Sequence, residues 1–287
     1  MTRYPRSFDE IDSWAEQNGV LRGEAIRRFV QFVTLESIGE AALGQHAALK
    51  GGNALRFVDY AIRSTVDLDY TVDSSVTDTE QAVREAIGEA VNRGYPRYGI
   101  KGRVQRTQRR PKTPGTTFPT YDVTIGFQLP WDKHFVGFES LERPLSTVVE
   151  VELSLNDVVC ETRLVTLEGG EHVKIRVCSL EDIVAEKLRA LLQQVVRDRY
   201  RPQDVYDIAY VRGSSALNLE KIGAFLVEKC RARGIEPHRN SFNEDVRTRA
   251  EKDYGSLKAL LGRDFVPFEE AWASTLELVR ELPISNG

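Results

Sequence analysis

Residues 48–70, ALKGGNALRFVDYAIRSTVDLDY, constrain the fold of this chain more than any other stretch. A short apolar run enters Lys50-Gly51-Gly52-Asn53, and a helix-length segment follows. Behind Arg63, Ser64 and Thr65, the pair Asp67 and Asp69 lies in a β-prone run. Adjacent glycines let a backbone turn sharply and approach a ligand closely. The helix that follows them turns its free N–H groups toward the turn, where they suit an anion such as phosphate. Asp67 and Asp69 are two apart, so on a strand both carboxylates leave one face. The flanking Val66, Leu68 and Tyr70 make the other face apolar.

A lone Gly-Gly pair is ordinarily a turn, and a lone Asp-x-Asp a solvated strand face. Together they read differently. Like charges side by side on a strand cost stability unless something neutralises them. Two carboxylates beside a phosphate cradle suit Mg²⁺ held jointly with substrate phosphates.

KGGNALR followed by RSTVDLDY resembles the signature of the AbiEii/AbiGii-type nucleotidyltransferase toxins, whose pattern is a Gly-Gly pair, a helix, then Arg-x-Ser-x-Asp-x-Asp. Thr65 stands where Ser is usual and keeps a hydroxyl, and Asn53 stands where the wider superfamily often has Ser. The resemblance implies an α+β fold of the DNA polymerase β-like nucleotidyltransferase type. It also implies a nucleotide-binding set of Lys50, Gly51, Gly52, Asn53, Arg63 and Thr65, with Asp67 and Asp69 as metal ligands. The family commonly places a third carboxylate on a later strand ending in acid, hydrophobe and Ser. Glu152-Leu153-Ser154 fits that ending better than Glu150 does, so Glu152 completes the expected Mg²⁺ set.

Two later motifs resemble the family's helical ones: SLEDIVAEKLRA and RPQDVYD. By position they assign Lys187 and Asp204 to the active site, with Asp207 on nearly the same helix face as Asp204. A lysine there would hold a triphosphate as a point charge. On packed helices a Lys–Asp pair by itself would be read as a surface ion pair.

Residues 120–129, 145–155, 161–167 and 173–178 read as strands. Helical patterning covers residues up to Gly19 from a Ser7/Glu10 capping box, then 23–46, 78–93 and, from Ser179 onward, nearly everything. The expected organisation is a mixed-sheet α/β domain with N-terminal helices, 1–178, and a helical domain, 179–287, contributing to the active-site cleft.

Between Ala90 and Tyr121 the chain has no acid. Arg97, Lys101, Arg103, Arg106, Arg109 and Arg110 lie there among Gly and Pro, with Tyr95 and Tyr98 beside them. On a chain of net charge −4 this asymmetry is the footprint of an RNA backbone, carried on a flexible loop or hairpin. The bland alternative is a solvated basic loop.

The chain has 287 residues, a hydrophobic fraction of 41%, and no apolar run long enough to span a bilayer. Its N-terminus lacks a signal-peptide core, and Cys160, Cys178 and Cys230 form no disulfide framework, so a reducing cytoplasm is expected. The four histidines show no zinc spacing. The resemblance implies a toxin of a toxin–antitoxin or abortive-infection system. It would take an NTP, modify RNA, with tRNA as the implied acceptor, and answer to a cognate antitoxin, with no membrane partner. Transfer to a small molecule such as an antibiotic, and a nucleotide- or RNA-binding module without turnover, are the two rival readings.

Overall fold

The computed structural model describes residues 4–59, 67–73, 78–113, 115–132, 144–167 and 173–287. They form two compact units. The first comprises Met1–Val58, Thr65–Asp157 and Arg163–Val177, and the second Asp59–Ser64, Val158–Thr162 and Cys178–Gly287.

In the first unit, helices α1 (Glu10–Asn18) and α2 (Arg22–Glu40) precede β1 (Ala47–Leu49), α3 (Gly51–Asp59) and β2 (Leu68–Val72). Helix α4 (Glu80–Gly94) then leads to β3 (Lys101–Arg110), β4 (Thr120–Gln128), β5 (Val148–Leu155), β6 (Thr162–Thr166) and β7 (Lys174–Cys178). The strands make one seven-stranded mixed sheet in the order β3-β4-β5-β2-β1-β7-β6. β2 runs parallel to β5, β1 parallel to β7, and β3, β4 and β5 pair antiparallel.

Side-chain alternation gives the sheet two unlike faces. Leu68 and Tyr70 of β2, Val151 and Leu153 of β5, and Tyr121, Val123 and Ile125 of β4 share one face and are buried. Helices α2 and α4 supply its cover. α4 contributes Val83, Ile87 and Val91, at helical spacing, and starts where the Thr79 hydroxyl accepts from the Ala82 amide at 3.1 Å. α2 is buried along most of its length and carries polar groups inward: Thr34 Oγ1 lies 2.7 Å from Tyr95 Oη, and Tyr98 donates to Glu36 at 2.5 Å. The two helices cross at Gly94, where a Cβ would lie 1.9 Å from Ser37 Oγ.

The second unit is helical: α5 (Leu180–Arg197), α6 (Pro202–Ser214), α7 (Leu219–Arg231), α8 (Glu244–Glu251), α9 (Leu257–Leu261) and α10 (Phe268–Glu281). α5 begins at Ser179, whose hydroxyl accepts from the Asp182 amide at 3.2 Å. The Asp182 side chain does not return to the Ser179 amide, which donates to Glu161 O at 3.0 Å. The Asp182 carboxylate instead accepts from the Cys160 amide at 2.7 Å and from buried Lys229 at 3.0 Å. This ties the 158–162 segment to α5 and α7 without a solvent-exposed charge.

Of the two readings of the basic stretch, loop or hairpin, the hairpin is formed: residues 101–110 are an edge strand, bulged at Val104/Arg106, that pairs with β4. The Ser7/Glu10 box is not formed: Glu10 accepts from the Arg6 amide at 2.9 Å. The helical patterning after Ser179 is interrupted between α8 and α9 around Asp253, whose φ is +62°.

Gly94→Ala should lower stability by about 1–3 kcal/mol, because a methyl group cannot enter the α2–α4 crossing without moving one helix. Urea unfolding followed by circular dichroism measures it. An unchanged midpoint would mean that the two helices separate at no cost.

Candidate functional site

The glycine turn and the Asp-x-Asp strand are built as one object. The Lys50 amide donates to Asp69 O at 2.8 Å, so the β1–β2 ladder continues to the edge of the turn. Gly51 then takes φ +67°, in the left-handed region, and a Cβ there would sit 2.7 Å from Asp69 Oδ2. Glycine is required twice over, for the backbone angle and for the carboxylate packed against it. The N-terminus of α3 therefore opens beside Asp69.

Two residues of the expected phosphate set are engaged within the fold. Asn53 is fully buried, and its Nδ2 donates to Asp67 O, holding α3 against the start of β2. Lys50 Nζ donates to Ser154 Oγ at 2.9 Å and Asp157 Oδ2 at 2.7 Å, bracing the turn to the end of β5. Gly52 is buried in the first turn of α3. Arg63 and Thr65 lie outside the described residues.

Pairing register collects the acids. Asp69 stands directly opposite Glu152 in the parallel β2–β5 pair, and Glu152 directly opposite Asp122 in the antiparallel β4–β5 pair. Three carboxylates thus form a row across three strands, on the face opposite the core, with exposed Asp67 two residues before Asp69. Glu150 shares the face but accepts from Thr124 Oγ1 at 2.8 and 3.1 Å. Although Asp67 reaches solvent, partial desolvation by the protein around it raises its carboxyl above the usual carboxylate range; Glu152 and Asp122 push it further, and Arg110 opposes them.

A divalent ion would find hard oxygen donors here, the kind Mg²⁺ takes. Among the described residues no three candidate ligands converge closely enough to grip an ion as the side chains stand. The donor chemistry fits all the same. The acids are already neutralised in part by an arginine, which pairs with Asp122 and Glu152.

That arginine comes from β3. A bulge at Val104/Arg106 shifts the strand's phase by one residue. Lys101 and Arg103 before it, and Arg106 and Arg110 after it, consequently oppose Gln128, Gly126, Thr124 and Thr120, all on the acid-bearing face. Arg106 is exposed. Arg110 Nη2 donates to Glu152 Oε2 at 3.1 Å and also to Asp122 Oδ1. Arg109 falls on the other face, 3.6 Å from Asp78 and bonded to Pro111 O and Thr113 O. Arg97 pairs with Glu36 and Glu40 at 3.3 and 2.6 Å.

In the second unit, Lys187 on α5 is buried, and its Nζ donates to Asp204 Oδ1 at 2.9 Å and Asp207 Oδ2 at 2.7 Å. Asp204 Oδ2, also buried, makes no hydrogen bond and lies 3.7 Å from Arg201 Nη1. Lys187 is therefore a pinned cation, not a surface one.

Asp122 was not anticipated. Its only sequence signal is that it is the single acid in TYDVTIGFQ, at an alternating position; the register supplies the rest.

Residues 34–274 match the family model described as "Nucleotidyl transferase AbiEii toxin, Type IV TA system". Among solved structures the chain is similar to MenT4, a nucleotidyltransferase toxin from Mycobacterium tuberculosis H37Rv. The identity is 15%, the match covers 91% of this chain and 85% of that one, and the TM-score is 0.52. JHP933 from Helicobacter pylori shares 16% identity over 88% of each chain with a TM-score of 0.41. Among curated proteins, no match was found. The likeness to MenT4 is one of fold.

Lys187→Met should destabilise the protein by about 3–5 kcal/mol, since it leaves Asp204 and Asp207 buried together without a cation. Asp204→Asn should cost less, because Asp207 still holds the lysine. Denaturant titrations of both variants compare them; equal costs would mean that Lys187 depends on Asp204 alone.

Proposed function

This chain belongs to the AbiEii nucleotidyl transferase toxin family of type IV toxin–antitoxin systems, and on that premise we propose that it transfers a nucleotide from an NTP to RNA, with the tRNA acceptor end as substrate, and so blocks translation. The family implies a nucleotide substrate and a cognate antitoxin. No helix among the described residues is long and apolar enough to cross a membrane. Action in the cytoplasm, where NTPs and tRNA meet, belongs to the proposal.

Nucleotidyltransferases generally use a divalent metal. Mg²⁺ would be held by Asp67, Asp69 and Glu152, where it would neutralise phosphoryl charge and lower the pKa of the attacking hydroxyl. The observation that carries the reading is the cross-strand pairing of Asp69 with Glu152 beside the Gly51 turn. In the proposed reaction, Gly51, Gly52 and the α3 N-terminus cradle the triphosphate with backbone N–H groups. Lys50 and Asn53 keep that cradle in place through Asp157, Ser154 and Asp67. Arg63 and Thr65 join the triphosphate set by resemblance alone. Lys187, oriented by Asp204 and Asp207, is assigned to the same reaction on the same ground. An RNA hydroxyl attacks the α-phosphorus, the bond to the β-phosphate oxygen breaks, and pyrophosphate leaves. Catalysis is mainly positioning and charge neutralisation.

RNA as acceptor is supported by Lys101, Arg103, Arg106 and Arg110 sharing the acid-bearing face of the edge strand. A second reading, transfer to a small molecule, draws on one observation. Arg97, Arg109 and Arg110 are paired with this chain's own acids, which shrinks the positive surplus.

Labelled NTPs, supplied singly with Mg²⁺ and either total tRNA or a small-molecule pool, test the assignment. Label should enter tRNA. Asp67→Ala or Asp69→Ala should cut incorporation by at least ~100-fold in a folded protein, and Glu152→Gln should do far more harm than Glu150→Gln. A fully active Asp69→Ala variant would sink the mechanism.

The salt dependence of tRNA binding separates the two acceptors. Reversing Lys101 and Arg106 to Glu should flatten the slope of log K against log salt by about one unit per lost phosphate contact. NTP binding should stay the same. An unchanged slope, with label appearing in the small-molecule pool, would favour the second reading.

A further inference from the structure

Arg110 differs from the other bases of β3. It opposes Thr120, yet its guanidinium reaches Asp122 on β4 and, beyond it, Glu152 on β5. That reach crosses two inter-strand spacings of about 4.8 Å each. The arginine side chain is 55% exposed, while those of Asp122 and Glu152 are 24% and 32% exposed. One nitrogen, Nη2, makes both acid contacts; Nε and Nη1 make no hydrogen bond among the described residues.

We propose that Arg110 is a phosphate ligand of the reaction centre, positioned by Asp122, and that in the unloaded protein it competes with the divalent ion for Glu152. The proposal rests on the reading of Asp67, Asp69 and Glu152 as the metal's ligands. Three like charges in register across a sheet favour a cation beside them, and Arg110 reaches two of the three. An ion arriving at Glu152 takes one of its two partners and leaves the other. Asp122 then keeps the guanidinium beside the metal. There the Nη2 hydrogen released from Glu152, together with the N–H beside it, can meet a phosphate with the paired N–H geometry that guanidinium offers and ammonium lacks. Asp122 acts through Arg110, as a positioning residue. The same arrangement keeps a repulsive acid row intact before substrate arrives.

Calorimetric titration with Mn²⁺ alone, without nucleotide, tests the competition. Arg110→Gln should bind Mn²⁺ about 3–10-fold more tightly than the unmodified protein, because a cation has been removed from the site. Asp122→Asn should bind it several-fold more weakly, because Arg110 then turns wholly to Glu152. In the R110Q background the same Asp122→Asn change should have a much smaller effect. A second titration, with pyrophosphate at saturating Mn²⁺, reads the phosphate role. R110Q should lose at least ~10-fold in affinity, and Arg110→Lys should stay weak, since it keeps the charge but not the fork. Melting curves monitored by circular dichroism check that each variant is folded.

Opposite signs for the two single variants and a strong coupling between them support the proposal. It is overturned if R110Q binds Mn²⁺ no more tightly, or if Asp122→Asn costs as much in the R110Q background as alone, which would make Asp122 a direct ligand. Mn²⁺ binding that is lost in Asp69→Asn but unmoved by R110Q removes this inference and leaves the metal assignment standing. No Mn²⁺ binding by the unmodified protein removes both.

Discussion

Three carboxylates from three adjacent strands, held in direct register, are the constraint around which the first unit is organised. Asp69, Glu152 and Asp122 repel one another, and strand pairing gives them no means of moving apart. The surroundings bear the cost. A glycine at position 51 leaves room for the Asp69 carboxylate, and an arginine from the edge strand bridges the other two acids. The apolar face of the same strands is sealed by α2 and α4, so the ladder that enforces the repulsion is anchored in the core. The fold thus holds a row of like charges that is electrostatically costly unless cations lie beside it.

The second unit handles charge by a different rule. Lys187 with Asp204 and Asp207, and Lys229 with Asp182, are buried and hydrogen-bonded at 2.7 to 3.0 Å. Buried pairs of this kind add little net stability over apolar packing, but they penalise every alternative arrangement of their helices. Lys229 and Asp182 fix the 158–162 segment in this way. Lys187 differs in being held by two acids, one of which keeps a buried oxygen without a hydrogen bond.

The basic strand shows how a small backbone irregularity redistributes charge between the faces of a sheet. Strict alternation would divide Lys101 and Arg103 from Arg106 and Arg110. The bulge at Val104/Arg106 returns all four to the face that bears the acids. The arginine left on the other face, Arg109, is absorbed by Asp78 and by backbone carbonyls. Charge counted along the sequence therefore overstates the positive charge on any one face.

Much of this was readable before any coordinates. Gly51, Gly52, Asp67 and Asp69 could be singled out from local spacing, adjacent glycines and an i, i+2 pair of acids, and Glu152 from its resemblance to the family's strand ending. The long helices were visible through 3.6-residue periodicity, as in Val83, Ile87 and Val91. What the sequence could not contain was register. Asp122 joins the site only because β4 pairs with β5 at Glu152, and Arg110 only because β3 ends within reach of both. Lys50 and Asn53 look like phosphate ligands in a motif, and become braces once Asp157, Ser154 and the Asp67 carbonyl are brought beside them. Local sequence determines which groups share a face of one element. Only the tertiary fold decides which elements are neighbours, because that choice is made by burial of the apolar faces, to which the polar residues on the other side contribute nothing.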